Sequence, residues 1–233
     1  MSKKKITQAI ADISEDASEL DAILITHEHY DHISGIGVME RGYNIPIYAN
    51  TSTWKEMPRI FGRIREENKK TFETGKRFVI KDIEIMPFSI PHDTADPVGF
   101  SFFLDSKKIT SVTDMGHLTE TIAENIKGSD LLLLESNHDL DMLINGRYPL
   151  KLKKRIQGEK GHLCNKDCGD IVVKFIEFGL KTVVLGHMSA QNNVPQLAYD
   201  TVRKCIEENG YVIGKDINLV VAVREGNNRV FLL

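Results

Sequence analysis

Cysteine is scarce in this chain. Three in 233 residues (Cys164, Cys168 and Cys205) build no even disulfide framework and suit a reducing compartment. Cys164 and Cys168 stand four apart but lack the further pair a structural zinc site needs, so they read as small buried residues. Net charge is also small, 30 basic against 33 acidic side chains, or −3, which excludes a global basic field drawing in nucleic acid. No apolar run approaches the roughly 20 residues that cross a bilayer. The longest, Leu131 to Leu134, has the length of a strand. The basic start, Met1 to Lys5, lacks the apolar stretch of a secretion signal. Repeats, low-complexity tracts, a Pro/Gly/Ser-rich linker, a glycine-rich phosphate loop and a Gly-x-Ser-x-Gly elbow are all missing. What remains is an ordinary globular mix, 41% hydrophobic and 27% charged, long enough for a substantial core. A single cytoplasmic domain over residues 1–233 is the expectation.

Apolar periodicity predicts a helix in the first twenty residues, with Ile6, Ala9, Ile10 and Ile13 on one stripe. A short run at 22–25 reads as a strand buried on both faces. Further strands are predicted at 46–49, 78–80, 83–88, 98–104, 108–112, 130–134, 181–185, 219–223 and 229–232. Helices are predicted at 51–60, 118–126, 166–178 and 195–208, the last opened by Pro195. The basic stretch 59–77 reads as a surface helix. Strands early and interleaved helices later suggest a layered α/β protein.

Metal-capable residues follow directly on the apolar runs. Ile25 leads to His27, Ile90 to His92, Val112 to Asp114, Leu134 to Glu135 and Leu185 to His187. Strand ends converging on one sheet edge would gather them into one site. The densest group is His27-x-His29-x-Asp31-His32. In extended chain His27 and His29 point the same way. A turn into helix after them swings Asp31 and His32 toward a second point, so one segment can serve two adjacent cations through nitrogen and carboxylate ligands. A chain of this composition would carry that pattern by chance roughly once in 1,600 sequences.

The run His27 to His32 matches the H-x-H-x-D-H signature, and here the chain resembles the metallo-β-lactamase superfamily. The resemblance implies a four-layer αββα sandwich with a dinuclear metal site at one edge. His27, His29 and His92 would hold one metal; Asp31, His32 and His187 the other; Asp114 would bridge both. Leu132 to Asp139, Gly146 to Pro149 and Gly161 to Leu163 resemble the YycJ/WalJ-like branch, related to phosphodiesterase and tRNA-processing metallo-hydrolases. The resemblance runs from about residue 20 to the end. His162 matches a histidine that phosphodiesterase relatives keep near the scissile phosphate without ligating metal. Relatives open with a strand hairpin before the first helix, whereas Met1 falls almost at that helix. The sandwich is therefore expected to lack two strands and leave an exposed strand edge, unless the start lies further upstream.

The expected chemistry is phosphodiester hydrolysis, most naturally in nucleic acid. Two divalent ions, zinc first and manganese as alternative, would activate a bridging water for attack on phosphorus, zinc lowering its pKa to about 7. Asp31 and Asp114 would steer it, and His162 would donate a proton to the leaving oxygen. Glu135 and Asn137 would orient ligands, and His138 would contact substrate. Residues 147–160 hold six basic side chains and one acid. Lys151, Lys153, Lys154 and Arg155 there read as a platform for phosphates. The rival readings are hydrolysis of a small ester, lactone or thioester by the same site, and a non-catalytic metal- or nucleic-acid-binding protein.

Overall fold

The computed structural model describes residues 2–57, 64–222 and 230–231. Ser2 caps the first helix, α1 (Lys3–Ala11), by accepting a hydrogen bond from the Lys5 amide. The helix is half the expected length. Asp12 closes it, Ser14 turns left-handed at φ 64°, and Ile13 is exposed, off the half-buried stripe of Ile6, Ala9 and Ile10.

Three parallel strands, β1 (Ile23–Leu24), β2 (Ile47–Asn50) and β3 (Lys69–Phe72), form a small sheet in the order β1-β2-β3. The run at 22–25 is not a strand buried on both faces. β1 has two residues, both half-buried, and pairs among the described residues with β2 alone. β3 departs from the sequence expectation, because three of its four residues are exposed and polar. It replaces the surface helix predicted over 59–77, of which residues 59–63 lie outside the described chain; Glu66–Asn68 is one 3₁₀ turn.

The large sheet runs β10-β9-β8-β7-β6-β5-β4: β4 (Phe78–Ile80), β5 (Ile83–Ser89), β6 (Val98–Leu104), β7 (Lys107–Val112), β8 (Leu131–Glu135), β9 (Thr182–Gly186) and β10 (Asn218–Val221). From β4 to β7 the pairing is antiparallel; from β7 to β10 it is parallel. Two antiparallel steps bring β5 back into the direction of β7, so β5, β7, β8 and β9 all end at one edge. Of the strand predicted at 229–232, Arg229 and Leu232 lie outside the described residues, and Val230 and Phe231 belong to no strand.

Helices cover both outer faces. α2 (Tyr30–Ile33), α3 (Ile36–Tyr43) and α4 (Thr51–Glu56) follow β1 and β2. Ile33 and Ile36 pack on Ile25, just after β1, and on Ile47 and Ala49 of β2. On the far side, α5 (Glu120–Ile126), α8 (Asn165–Ile176) and α9 (Pro195–Glu208) set Ile122, Phe175 and Val202 against Val112, Leu132, Leu134 and Leu185. Between the sheets, Phe72, Ile85, Val98 and Phe100 form a third core with Leu24, Tyr48 and Phe78. Helix, sheet, sheet, helix is the αββα sandwich. Two short helices, α6 (Leu140–Asn145) and α7 (Leu150–Ile156), extend the connection after β8. No described helix is long and apolar enough to cross a membrane.

Candidate metal centre

Each ligand candidate sits where a strand gives out. After β1 the chain bends at Thr26 and is extended at His29, the residue before α2, and the turn into that helix carries Asp31 and His32 round to the same side. His92 follows β5, Asp114 follows β7, Glu135 ends β8 and His187 follows β9. Asp114 and His187 adopt left-handed backbone (φ 59° and 50°), which turns both side chains off their strand ends. For residues with a Cβ that conformation is strained and tends to be kept at functional sites.

The seven predicted ligands come together. Ligating atoms of His27, His29 and His92 lie within 4.8 Å of one another, as do those of His27, His32 and Asp114, and of Asp31, His32 and His187. Asp114 sits between the groups. Its Oδ1 is 3.7 Å from His92 Nε2 and 3.4 Å from His187 Nε2, and its Oδ2 is 3.5 Å from His32 Nε2. Asp31 Oδ2 is 3.6 Å from His32 Nε2 on the open side. His27 Nε2 and Asp114 Oδ2 are buried without a hydrogen-bond partner among the described residues. Orphaned polar atoms among so many imidazole and carboxylate donors suit a divalent cation of the zinc or manganese type.

The remaining ring nitrogens are mostly taken. His27 Nδ1 lies 3.1 Å from the Thr26 hydroxyl, and His92 Nδ1 lies 3.2 Å from the Lys160 carbonyl. His187 Nδ1 donates to Glu135 Oε1 at 2.7 Å, and His162 Nδ1 meets the same oxygen at 2.8 Å. Glu135 Oε2 accepts from the Met115 and Leu163 amides. Asn137 Nδ2 donates to the His187 carbonyl at 2.9 Å, bracing the left-handed turn. For His27, His92 and His187 such a partner at Nδ1 leaves Nε2 for a metal.

Charge favours neutral, ligand-ready rings at His27, His32 and His92, whereas His187 holds its proton until a cation displaces it. Burial, reinforced by neighbouring histidines, pushes His27 down to about 2, so its ring is neutral. Burial also depresses His32 and His92, although Asp114 pulls against it in both. For Glu135, burial opposes ionisation, but the His162 and His187 hydrogen bonds prevail and bring the carboxyl down to about 2. For His187, burial opposes the cation and is outweighed by Glu135 and Asp114, which lift the ring to about 9.

Other predicted contacts fall elsewhere. His138 does not line the site: the ring is 1% exposed, enclosed where its residue bridges to Cys164. The platform is also narrower than expected. Arg155 lays its guanidinium on Asp93 (Nε–Oδ2 2.5 Å, Nη2–Oδ1 2.9 Å), because the carboxylate next to His92 captures it. Lys153 donates to the Ile144 carbonyl and so tethers α7 to α6. Lys151 and Lys154 stay exposed. His162 is near the cluster, Nδ1 3.7 Å from Asp114 Oδ1. All three cysteines are buried and free. Sequence reasoning passes over Asp93 and Thr26; each adjoins a ligand candidate, which is the signal that could have found them. The Lys160 carbonyl has none.

Comparison with known proteins agrees with this geometry. A family model described as "Beta-lactamase superfamily domain" matches residues 3–188. The chain is 37% identical over 212 residues to the exodeoxyribonuclease YycJ of Bacillus anthracis, covering 91% of this chain and 80% of the relative. It is 37% identical over 221 residues to the exodeoxyribonuclease WalJ of Streptococcus pneumoniae serotype 2, covering 94% and 82%. Among solved structures, zinc-bound PqqB of Methylobacterium extorquens superposes with a TM-score of 0.65 at 20% identity, over 87% of this chain and 70% of that one, which speaks to the fold. With its sandwich, its strand-end ligand candidates and this match, the chain belongs to the metallo-β-lactamase superfamily.

Proposed function

We propose that the protein is a metal-dependent exodeoxyribonuclease that hydrolyses phosphodiester bonds at two adjacent cations. The observation that carries the reading is Asp114, whose carboxylate stands between the His27/His29/His92 group and the Asp31/His32/His187 group. The names of the relatives at 37% identity support DNA as substrate. His27, His29 and His92 would hold one ion, Asp31, His32 and His187 the other, and Asp114 both. When bound, the ions supply water activation at neutral pH and neutralise charge on the phosphate oxygens. Glu135 fixes the imidazole of His187 and holds that of His162, whose Nδ1 it binds at 2.8 Å. His162 then presents its Nε2 proton to the leaving oxygen. Lys151 and Lys154 of α7 meet the backbone beyond the scissile bond without reading bases.

The test is metal analysis followed by incubation with 5′- and 3′-labelled single- and double-stranded DNA and RNA, with a chromogenic phosphodiester in parallel. Mononucleotide release from DNA is expected. Asp114→Ala should lose metal and turnover together. His162→Ala should keep metal and lose rate by about 10²- to 10⁴-fold. Hydrolysis of a lactone or thioester with intact DNA would overturn the reading.

A further inference from the structure

The segment 147–160 makes contacts that point inward as well as out. Arg155 grips Asp93, the Lys160 carbonyl meets His92 Nδ1, and the Glu159 carbonyl meets His117 Nδ1 at 3.0 Å. Gly116 passes so close that a Cβ there would overlap the Glu159 carbonyl. The segment is thus pinned to the loops after both β5 and β7.

Asp93 carries one of these contacts further. While Arg155 occupies both carboxylate oxygens, Oδ1 also lies 3.7 Å from His29 Nε2 and 3.6 Å from His92 Nε2, at ion-pair rather than hydrogen-bond distance from each. The other nitrogen, His29 Nδ1, stands 3.2 Å from Nε2 of His92, the residue that shares the first group with it. His27, His92 and His187 each have their second nitrogen beside a hydroxyl, a backbone carbonyl or a carboxylate. Asp93 occupies that place for His29. A neutral imidazole carries one proton, so an acceptor at Nε2 leaves the Nδ1 lone pair for the cation.

We propose that Asp93, clamped by Arg155, is a positioning residue for His29: its carboxylate, 3.7 Å from Nε2, favours the tautomer protonated there and so leaves Nδ1 as the donor to the first metal. This rests on the metal reading given above. Arg155 serves here as a strut across 62 residues of sequence rather than as a phosphate contact.

The test uses purified protein stripped by a chelator. Zinc is titrated against a chromophoric competitor for the parent protein and for Asp93→Ala, Asp93→Asn and Arg155→Ala. The His29 tautomer is read in the metal-free proteins by long-range ¹H–¹⁵N correlation. Asp93→Ala should weaken one of two zinc sites by about 10- to 100-fold and leave the other unchanged. Asp93→Asn, whose amide oxygen still accepts, should recover part of that affinity, and Arg155→Ala should shift the same site less. The parent should show the Nε2-protonated tautomer at His29, and Asp93→Ala a mixture. Unchanged zinc affinity in Asp93→Ala, or equal weakening of both sites with a lowered melting temperature, would overturn the proposal while leaving the metal reading standing. A parent protein that binds no zinc would overturn both.

Discussion

Glu135→Gln is the substitution that probes the centre most sharply, because shape is kept and only charge and hydrogen-bond polarity change. Glu135 is fully buried; Oε1 accepts from two imidazoles and Oε2 from two backbone amides. A glutamine oxygen can keep the Met115 and Leu163 amides. Its NH₂ group then faces both Nδ1 atoms, which must become acceptors. His187 would carry its proton on Nε2, the atom that faces Asp114 and would ligate metal. Two bonds to a charged acceptor, worth about 1.5–3 kcal/mol each, give way to two neutral ones worth about 1 kcal/mol each. The expected net destabilisation is about 1–4 kcal/mol. For a chain of this size that is roughly 2–16 °C in melting temperature. Zinc affinity should fall about 10- to 100-fold, the usual consequence of removing a ligand's orienting partner. Calorimetry of the metal-free protein and a zinc titration measure the two effects separately. Melting within a degree of the parent, with unchanged zinc affinity, would refute the argument that Glu135 sets the tautomer of His187. Glu135→Ala should be worse, since the two amides would be left without an acceptor as well.

Asp130 ties the starts of β7 and β9 together, taking Lys181 Nζ at 2.6 Å and the Lys108 amide at 3.0 Å. The Lys181 bond, then the Lys108 amide, holds its carboxyl below the ordinary 3.8, so its stabilisation is present above that value and lost as pH falls through the folded pKa. Asp130→Asn should cost about 1 kcal/mol at pH 7 in urea unfolding, with the gap closing as pH falls below 3.8 and through the lower folded pKa; a gap constant with pH would be the wrong outcome. Replacing Lys151 and Lys154 by glutamine should raise the Michaelis constant for long DNA and flatten its log–log salt dependence by about one unit for each phosphate that is no longer neutralised. Hydrolysis of a small chromogenic phosphodiester should stay unchanged, and an equal drop on both substrates would exclude a phosphate platform. Lys153→Ala should lower stability rather than salt dependence, because that ammonium already holds the Ile144 carbonyl.

Much of the fold is legible in the sequence because the signals are local. Pro195 at the first turn opens its helix where the pattern places it, and the helix runs to Glu208 as expected. The run at 131–134 makes a buried strand, and Thr119 caps a helix that begins at Glu120, two residues after the start the pattern gives at 118. β3 is invisible to such reading because its stability comes from pairing with β2, over twenty residues away, and not from its own exposed residues. α3, α6 and α7 are short helices whose apolar faces are too brief to show a period.

At the centre, local spacing dictates which residue types stand at the strand ends, and with them the donor set and its order along the chain. Period two in extended chain, followed by a helical turn, is enough for that. Packing of the two sheets is needed to select the nitrogen of each histidine that faces inward, to put Asp114 between the two groups and to shut His138 inside. Packing also brings the Arg155 guanidinium to Asp93, 62 positions away. A tautomer, a desolvated ring or an ion pair is set by whichever atom arrives from a distant segment, and no stretch of sequence specifies that arrival until the sheets have closed on one another.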